Sequence, residues 1–432
     1  MNTDTLLIWV GIALTLYGIV MLLFYLRKEN GSMLDVISIS WAGYILYIAL
    51  AMTATGFFLP IRLGIASRGL TVAIMVLSTI LYTIGLYAGK GKFVCKIIPR
   101  LPLTLNKTQT WLIWFVCMAI AILFMFGILR TTGAYSGAGG MFVEAALSAL
   151  GMVSILVLFS YRGSYFSKFI MLITYVLIIY VLYLFTWSRR PLMGFFITAT
   201  AFIYRFRLSW KSLGTRSIFI SMIIVGGTVL LLFLGATRGE RIYGVARKTT
   251  FSQENLMTFT GGITVNYEMG EYLVDIVPER IGYMYGKAFL TPFLIFIPRA
   301  IWKSKPVASD LRINEIVFGL DYKTNTGVTI VAEMYQNFGI FAPLGMFFIG
   351  KFVRGYNRYL RKNSANIVAW IAWFLIIPDF ATEWRGGFTS MTGSIIVRLS
   401  FFLSITWLSA KIFNTHQQVD YDEFYYEGEQ LS

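Results

Sequence analysis

Apolar runs long enough to cross a bilayer recur along the chain, near 5–26, 34–59, 69–89, 110–129, 142–160, 167–187, 191–206, 217–236, 328–350, 366–382 and 393–412. About 20 apolar residues wound as a helix span a hydrocarbon core roughly 30 Å thick. Lipid offers no partner to an open backbone, so each run has to make its hydrogen bonds internally, as a helix. The pattern predicts an all-α polytopic membrane protein with eleven spans. Composition agrees, with 57% of residues hydrophobic and only 13% charged, a balance soluble domains do not reach. No small-residue cleavage pattern follows the first run, which is therefore expected to stay as a span.

One stretch interrupts this pattern. The 91 residues from Thr237 to Gly327 are too polar to cross repeatedly, and membrane runs resume only at Val328. The expected organisation is a membrane domain over 1–236 with eight spans, a large loop over 237–327, three further spans over 328–412, and a flexible acidic tail over 413–432. Within the loop, 288–302 is apolar but too short to span, and Pro292 and Pro298 break it. It reads either as a re-entrant or interfacial hairpin on the membrane surface or as a buried core segment of the loop.

Charge orients the chain. The loops 90–109, 204–217 and 351–365 are strongly basic, and cytoplasmic loops are the ones enriched in Lys and Arg. Alternating outward from them, the inner loops hold 18 Lys plus Arg and the short outer loops six. The N-terminus, and the 237–327 loop with it, are then extracytoplasmic, and the C-terminus is cytoplasmic. This accounts for much of the net charge of +16 without invoking nucleic acid. The short run 191–206 is counted as a span because its removal would put 90–109 on the opposite side from 351–365.

Some chemistries are excluded. Cys95, beside a basic loop, and Cys117, inside a hydrophobic run, are too few and too badly placed for a disulfide framework or thiolate metal site, and the single histidine, His416, lies in the tail. Histidine-based zinc sites, Ser-His-Asp triads and histidine-ligated haem all need imidazole near the reacting atoms. No metal and no cofactor are expected. Gly133 to Gly140 is glycine-rich but lacks the lysine and the strand-helix setting of a phosphate loop.

Arginine is distributed selectively. On the expected inner side Arg and Lys number 9 and 10; on the outer side, with Arg398 included, they number 13 and 5. Either residue serves solubility, but only the planar guanidinium binds phosphate as a two-pronged fork. Arg189 and Arg190 sit in a tight turn at the outer edge, Arg238 and Arg241 follow the eighth span, Arg299 lies in the apolar loop segment, Arg385 ends the tenth span and Arg398 is embedded in the eleventh. Singly, each is explained by lipid phosphates or a nearby acid; as a set they point to an anionic ligand at the outer leaflet. The acids are Glu333, expected about two turns into the ninth span, with Asp379 and Glu383 at the outer end of the tenth. A carboxylate at membrane depth is costly unless paired or used. Glu333 is therefore a candidate base or a partner for one of the arginines. Tyr267, Tyr272, Tyr283, Tyr285 and Tyr322 in the large loop carry rings of the kind on which sugar faces stack.

The motifs Ser188-Arg189-Arg190-Pro191, Arg238-Gly239-Glu240-Arg241, Ile297-Pro298-Arg299-Ala300-Ile301-Trp302-Lys303-Ser304-Lys305-Pro306 and Glu333-Met334-Tyr335-Gln336-Asn337-Phe338-Gly339, with one large outer loop before the last spans, resemble the Wzy-type oligosaccharide repeat-unit polymerases. Those enzymes extend O-antigen, capsule and exopolysaccharide chains. The resemblance implies a GT-C-like integral-membrane glycosyltransferase at the outer face of the plasma (inner) membrane, using an undecaprenyl- or other polyprenyl-pyrophosphate-linked donor. It implies Glu333 as general base with Asp379 and Glu383 nearby, Arg189, Arg190, Arg238, Arg241, Arg299, Arg385 and Arg398 around the pyrophosphate, and Tyr267, Tyr272, Tyr335 and Asn337 toward sugar. Membrane lipid, a chain-length-regulating copolymerase and a flippase are the expected partners. The O-antigen ligases are similar in plan, and a lipid-linked oligosaccharide flippase is the reading from another class.

Overall fold

A computed structural model describes residues 3–29, 31–58, 67–88, 107–131, 145–154, 164–185, 253–295, 297, 301–306, 312–313, 316, 327–363 and 366–412. Every regular element among them is helical: α1 (Thr3–Lys28), α2 (Val36–Tyr44), α3 (Leu50–Phe58), α4 (Arg68–Tyr87), α5 (Lys107–Thr131), α6 (Tyr165–Phe185), α7 (Gln253–Ile276), α8 (Ile330–Phe338), α9 (Ala342–Lys362), α10 (Ile367–Gly386) and α11 (Phe388–Ile412), with a further helical stretch Ala145–Ser154. Among the described residues, five helical stretches are long and apolar enough to cross a membrane: Asp4–Lys28, Val36–Phe57, Arg68–Tyr87, Ile330–Lys362 and Met391–Ile412. They fall on the first, second, third, ninth and eleventh expected spans. Shorter apolar helices, Thr108–Ile120, Ala145–Ser154, Tyr165–Ile178 and Val368–Thr382, fall within four others. The expected spans 191–206 and 217–236, and the tail 413–432, lie outside the described residues.

The chain divides into two units. The first contains Met1–Pro99, Phe251–Asn363 and Asp379–Ile396; the second contains Arg100–Thr250, Ser364–Pro378 and Val397–Ser432. In the first unit α1 turns Trp9, Leu16, Val20 and Leu23 outward while Leu7, Leu14 and Tyr25 are buried. A helix apolar on all sides is suited to a membrane, where lipid covers the outer face. The core is aromatic: Trp41 meets Tyr44 and Tyr82 edge-on at centroid distances of 5.3 and 5.5 Å, and Trp384 meets the same two tyrosines at 5.3 and 5.0 Å. Trp384 Nε1 donates to Ser40 Oγ at 3.3 Å, and Tyr44 and Thr79 share a hydrogen bond of 2.9 Å. Between α2 and α3 the helix widens into a π-turn over Ile45–Ala49. Elsewhere α4 and α9 come into backbone contact, because a side chain on Gly85 would meet Phe347 O and one on Gly350 would meet Tyr82 O. Small residues of this kind let membrane helices approach closely.

Charged groups gather at the two ends of α1. At its start, Arg68 donates to Asp4 at 2.5 Å and forks onto both carboxylate oxygens of Glu271 at 3.2 and 3.3 Å. At its far end, Arg354 pairs with Glu29, Arg361 donates to Glu29 O at 2.8 Å, and Tyr25 donates to Asp35 at 2.7 Å. Asn357 joins this group, donating to the Tyr25 hydroxyl at 2.8 Å and accepting from the Val36 N–H at 3.1 Å.

Two features depart from a simple alternation of span and loop. First, 24 residues of the expected loop form α7, which packs on α3, α4, the π-turn and α8. Thr264, Tyr267, Glu268 and Glu271, at i, i+3, i+4 and i+7, are all fully buried, so the polar stripe of this helix faces protein. Second, the expected span 328–350 is not one straight helix. Residues 334 and 345 would stand about 16 Å apart along an unbroken helix, yet a Cβ on Gly345 would lie 2.7 Å from Met334 Sδ. The chain folds back through Gly339, at φ +58°, and α9 begins with Pro343 in its first turn. Gly339 takes a conformation open to glycine, and Pro343 has no N–H with which to prolong α8. Glu333 therefore lies in the first turn of a nine-residue half-helix, not two turns into a crossing one.

Candidate functional site

The corner formed by α8 is built from its own start. Thr329 caps the helix, its Oγ1 accepting from Ala332 N–H at 3.3 Å, one of the donors a helix N-terminus leaves without a partner. One residue later, Glu333 sends its carboxylate to a second helix start. The Thr389 N–H donates to its two oxygens at 3.2 and 3.4 Å, and the Thr389 hydroxyl donates to Oε1. Both residues are buried. A carboxylate without water needs donors and positive potential, and the first turn of α11 supplies both.

Glycine makes room for this pairing. Gly387 has φ +77°, and a Cβ there would lie 2.9 Å from Glu333 Oε2. Gly327 crosses the same turn, its Cβ position lying 2.9 Å from Gly386 Cα and 3.1 Å from Arg385 O. Gly387→Ala is expected to cost about 1–3 kcal/mol from the left-handed backbone alone, with displacement of Glu333 added to that. A thermal melt of the purified variant checks it; an unchanged melting temperature would contradict the contact.

The large loop docks on this corner. Met284 N–H donates to Gln336 O at 2.9 Å, and Gly286 N–H donates to Asn337 Oδ1 at 3.1 Å. Asn337 Nδ2 in turn donates to Glu333 O at 2.9 Å, and the Tyr335 hydroxyl donates to Val277 O at 3.4 Å. Phe289 stacks on Phe338 at 5.6 Å and lies 5.3 Å from Phe388. The described part of the apolar loop segment is a 3-10 turn, Lys287–Leu290, followed by further turns. Its Ile295 and Pro292 reach the position where a Cβ of Gly393 would stand, at 3.4 and 3.9 Å. Leu290, Phe293, Ile301 and Trp302 are exposed.

The expected site residues separate into groups. Glu333, Tyr335 and Asn337 share α8, and Arg385, exposed at the end of α10, meets the same corner through its carbonyl beside Gly327. Asp379 is buried in α10, where its carbonyl accepts from the Thr382 hydroxyl at 3.1 Å. Arg398 belongs to the second unit and donates to Leu375 O at 3.2 Å. Tyr267 is fully buried beside Glu271, Tyr335 is buried as well, and Tyr272 is half-buried. The Glu383 side chain and Arg189, Arg190, Arg238, Arg241 and Arg299 lie outside the described residues.

Sequence reasoning missed two partners. Thr389 follows a glycine pair at a helix start, but nothing local links it to Glu333, 56 residues away. In the sequence Arg68 is one basic residue of a short loop, whereas the structure joins it to Glu271 across 203 residues. Burial pushes the Glu271 carboxyl up to about 7, the adjacent Arg68 guanidinium opposing that rise. Among the described residues no group of three or more His, Cys, Asp or Glu side chains is arranged to hold a metal ion. No family model, curated protein or solved structure matches the chain.

Proposed function

We propose that the protein is a Wzy-type polysaccharide polymerase, joining polyprenyl-pyrophosphate-linked oligosaccharide repeat units at the outer face of the plasma membrane. The fold this requires is the eleven-span, GT-C-like one, with the N-terminus and large loop outside and the C-terminus in the cytoplasm. The ion pairs support that topology. Pairing of Glu29 with Arg354 demands an even number of crossings between them, and the seven expected spans from 34–59 to 217–236, with α9 as the eighth crossing, satisfy it. Omitting 191–206 would leave seven. Likewise, the pairing of Arg68 with Glu271 requires an even number between those residues, and six are expected.

The observation that carries the reading is Glu333. A buried carboxylate stands on a half-helix at the junction of membrane and loop, and the loop itself is hydrogen-bonded to that half-helix. In the proposed reaction the non-reducing hydroxyl of a new repeat unit attacks the anomeric carbon of the growing chain. A carbon–oxygen bond forms there, the bond to pyrophosphate breaks, and polyprenyl pyrophosphate leaves with the bonding electrons. Glu333 takes the hydroxyl proton, for which Thr389 has to release a carboxylate oxygen. Arginine forks on the outer side neutralise the departing pyrophosphate; Arg385, whose carbonyl lies beside Gly327 at this corner, is one of them.

Glycan analysis of a deletion strain tests the class. Single repeat units capped on lipid support the polymerase. Polymer accumulating on polyprenyl carrier instead indicates an O-antigen ligase. The broken α8–α9 pair favours one other reading, since discontinuous helices are common in transporters. Repeat units trapped inside the cell would indicate that flippase.

A further inference from the structure

Among the described residues, Tyr285 is the one non-glycine residue with a left-handed backbone, at φ +48°. A bulky L-residue is strained there, whereas its neighbour Gly286, at φ +79°, is not. A turn needing only this shape would be better served by glycine or asparagine. The strained peptide is held from both sides. Met284 N–H is fixed on Gln336 O at 2.9 Å, Gly286 N–H on Asn337 Oδ1 at 3.1 Å, and Lys287 N–H closes the turn on Met284 O at 3.0 Å. All this restraint presents a ring that is 77% exposed, with the edge of Tyr283 at 6.0 Å as its aromatic neighbour. Strained backbone held in place by surrounding bonds clusters at active sites and ligand clamps, and here its product is an outward side chain.

Asn337 connects this ring to the candidate base. The side chain that holds Gly286 also donates to Glu333 O, so one nine-residue helix sets the position of both. We propose that Tyr285 is a carbohydrate-stacking residue, its ring receiving the apolar face of a sugar in the oligosaccharide substrate and its hydroxyl hydrogen-bonding the sugar's edge. The assignment rests on the glycan-handling reading above and adds the residue that would grip the glycan. Of the loop tyrosines suited to that task, Tyr267 is buried, while Tyr285 offers a free face.

The test uses the full-length protein in lipid nanodiscs. The probe is the repeat-unit oligosaccharide freed by mild acid from the lipid carrier of a deletion strain, with binding read by saturation-transfer NMR. Tyr285→Phe keeps the ring and is expected to retain binding. Tyr285→Ala and Tyr285→Leu are expected to weaken it ~3- to 10-fold, the range aromatic contacts span. Tyr285→Gly relieves the strain, so it should match or exceed the wild-type melting temperature while binding as weakly as Tyr285→Ala. That variant separates a binding role from a folding one. Undiminished binding by Tyr285→Leu would overturn the proposal and leave Tyr285 as an apolar anchor in the lipid interface. If the wild-type protein bound no oligosaccharide at all, the polymerase reading would fail and this assignment with it. Wild-type binding that Tyr285→Ala leaves intact would remove this assignment alone.

Discussion

Cells whose only copy of this protein carries Glu333→Gln are expected to make no polymer and to accumulate single repeat units, while the variant protein folds and reaches the membrane. Glutamine is close in shape and its carbonyl oxygen still accepts a hydrogen bond from the Thr389 N–H, so the start of α11 keeps a partner. What it loses is basicity. A positioned base contributes roughly 10²- to 10⁴-fold to proton transfer, enough to stop a process that must repeat many times per chain. Glu333→Ala is a different experiment, because it leaves the buried Thr389 N–H and hydroxyl unpaired at about 1–3 kcal/mol each. Comparing the two variants separates chemistry from architecture. Full-length polymer with Glu333→Gln would show that the carboxylate serves only to hold α11.

Arg68→Met carries the largest expected effect on stability. The guanidinium is 1% exposed and bonds two carboxylates from two different helices. Removing one partner of a buried ion pair typically costs about 3–5 kcal/mol, because the other charge is left in a medium that cannot solvate it. The loss should depend on pH. Burial pushes the Glu271 carboxyl up from 4.5 to about 7; its contribution to stability is complete below about 4.5 and is lost as pH rises through about 7, where the folded state must give up a proton it holds more tightly. Without Arg68 the charged form is disfavoured further. Thermal melts of wild type and variant between pH 5 and pH 8 should diverge toward pH 8 and converge toward pH 5. A second substitution, Glu271→Leu, should restore part of the loss. Equal melting temperatures at pH 8 would mean the pair contributes nothing.

How much of this the sequence discloses depends on whether the determining interaction is local. The long apolar helices are readable because length and hydropathy are properties of contiguous residues. Gly339 and Pro343 are readable as residues, but a hydropathy window averages across the break they cause, so a half-helix and a full helix look like one span. α7 escapes for the opposite reason: Tyr267, Glu268 and Glu271 look like solvated residues, and only the helices packed around them reveal that the stripe is interior. Glu333 stands out in the sequence because an acid at that depth requires an explanation. Its partner does not, since a hydrogen bond to Thr389 depends on where α11 begins in space. The same holds for Tyr285, one of five similar tyrosines in the sequence until the backbone shows that it is strained and its ring exposed.

The Arg68–Glu271 pair also sets an order of assembly. The two residues are separated by 203 positions, and at typical synthesis rates of 5–20 residues per second Arg68 is made about 10–40 s before its partner leaves the ribosome. During that interval the nascent bundle holds a guanidinium with one of its two acids still missing. Asp4, already synthesised and only 64 positions upstream, is the one available counter-charge of the pair. The N-terminal carboxylate can thus serve as a temporary mate that keeps Arg68 at the membrane edge until α7 arrives to complete the triad.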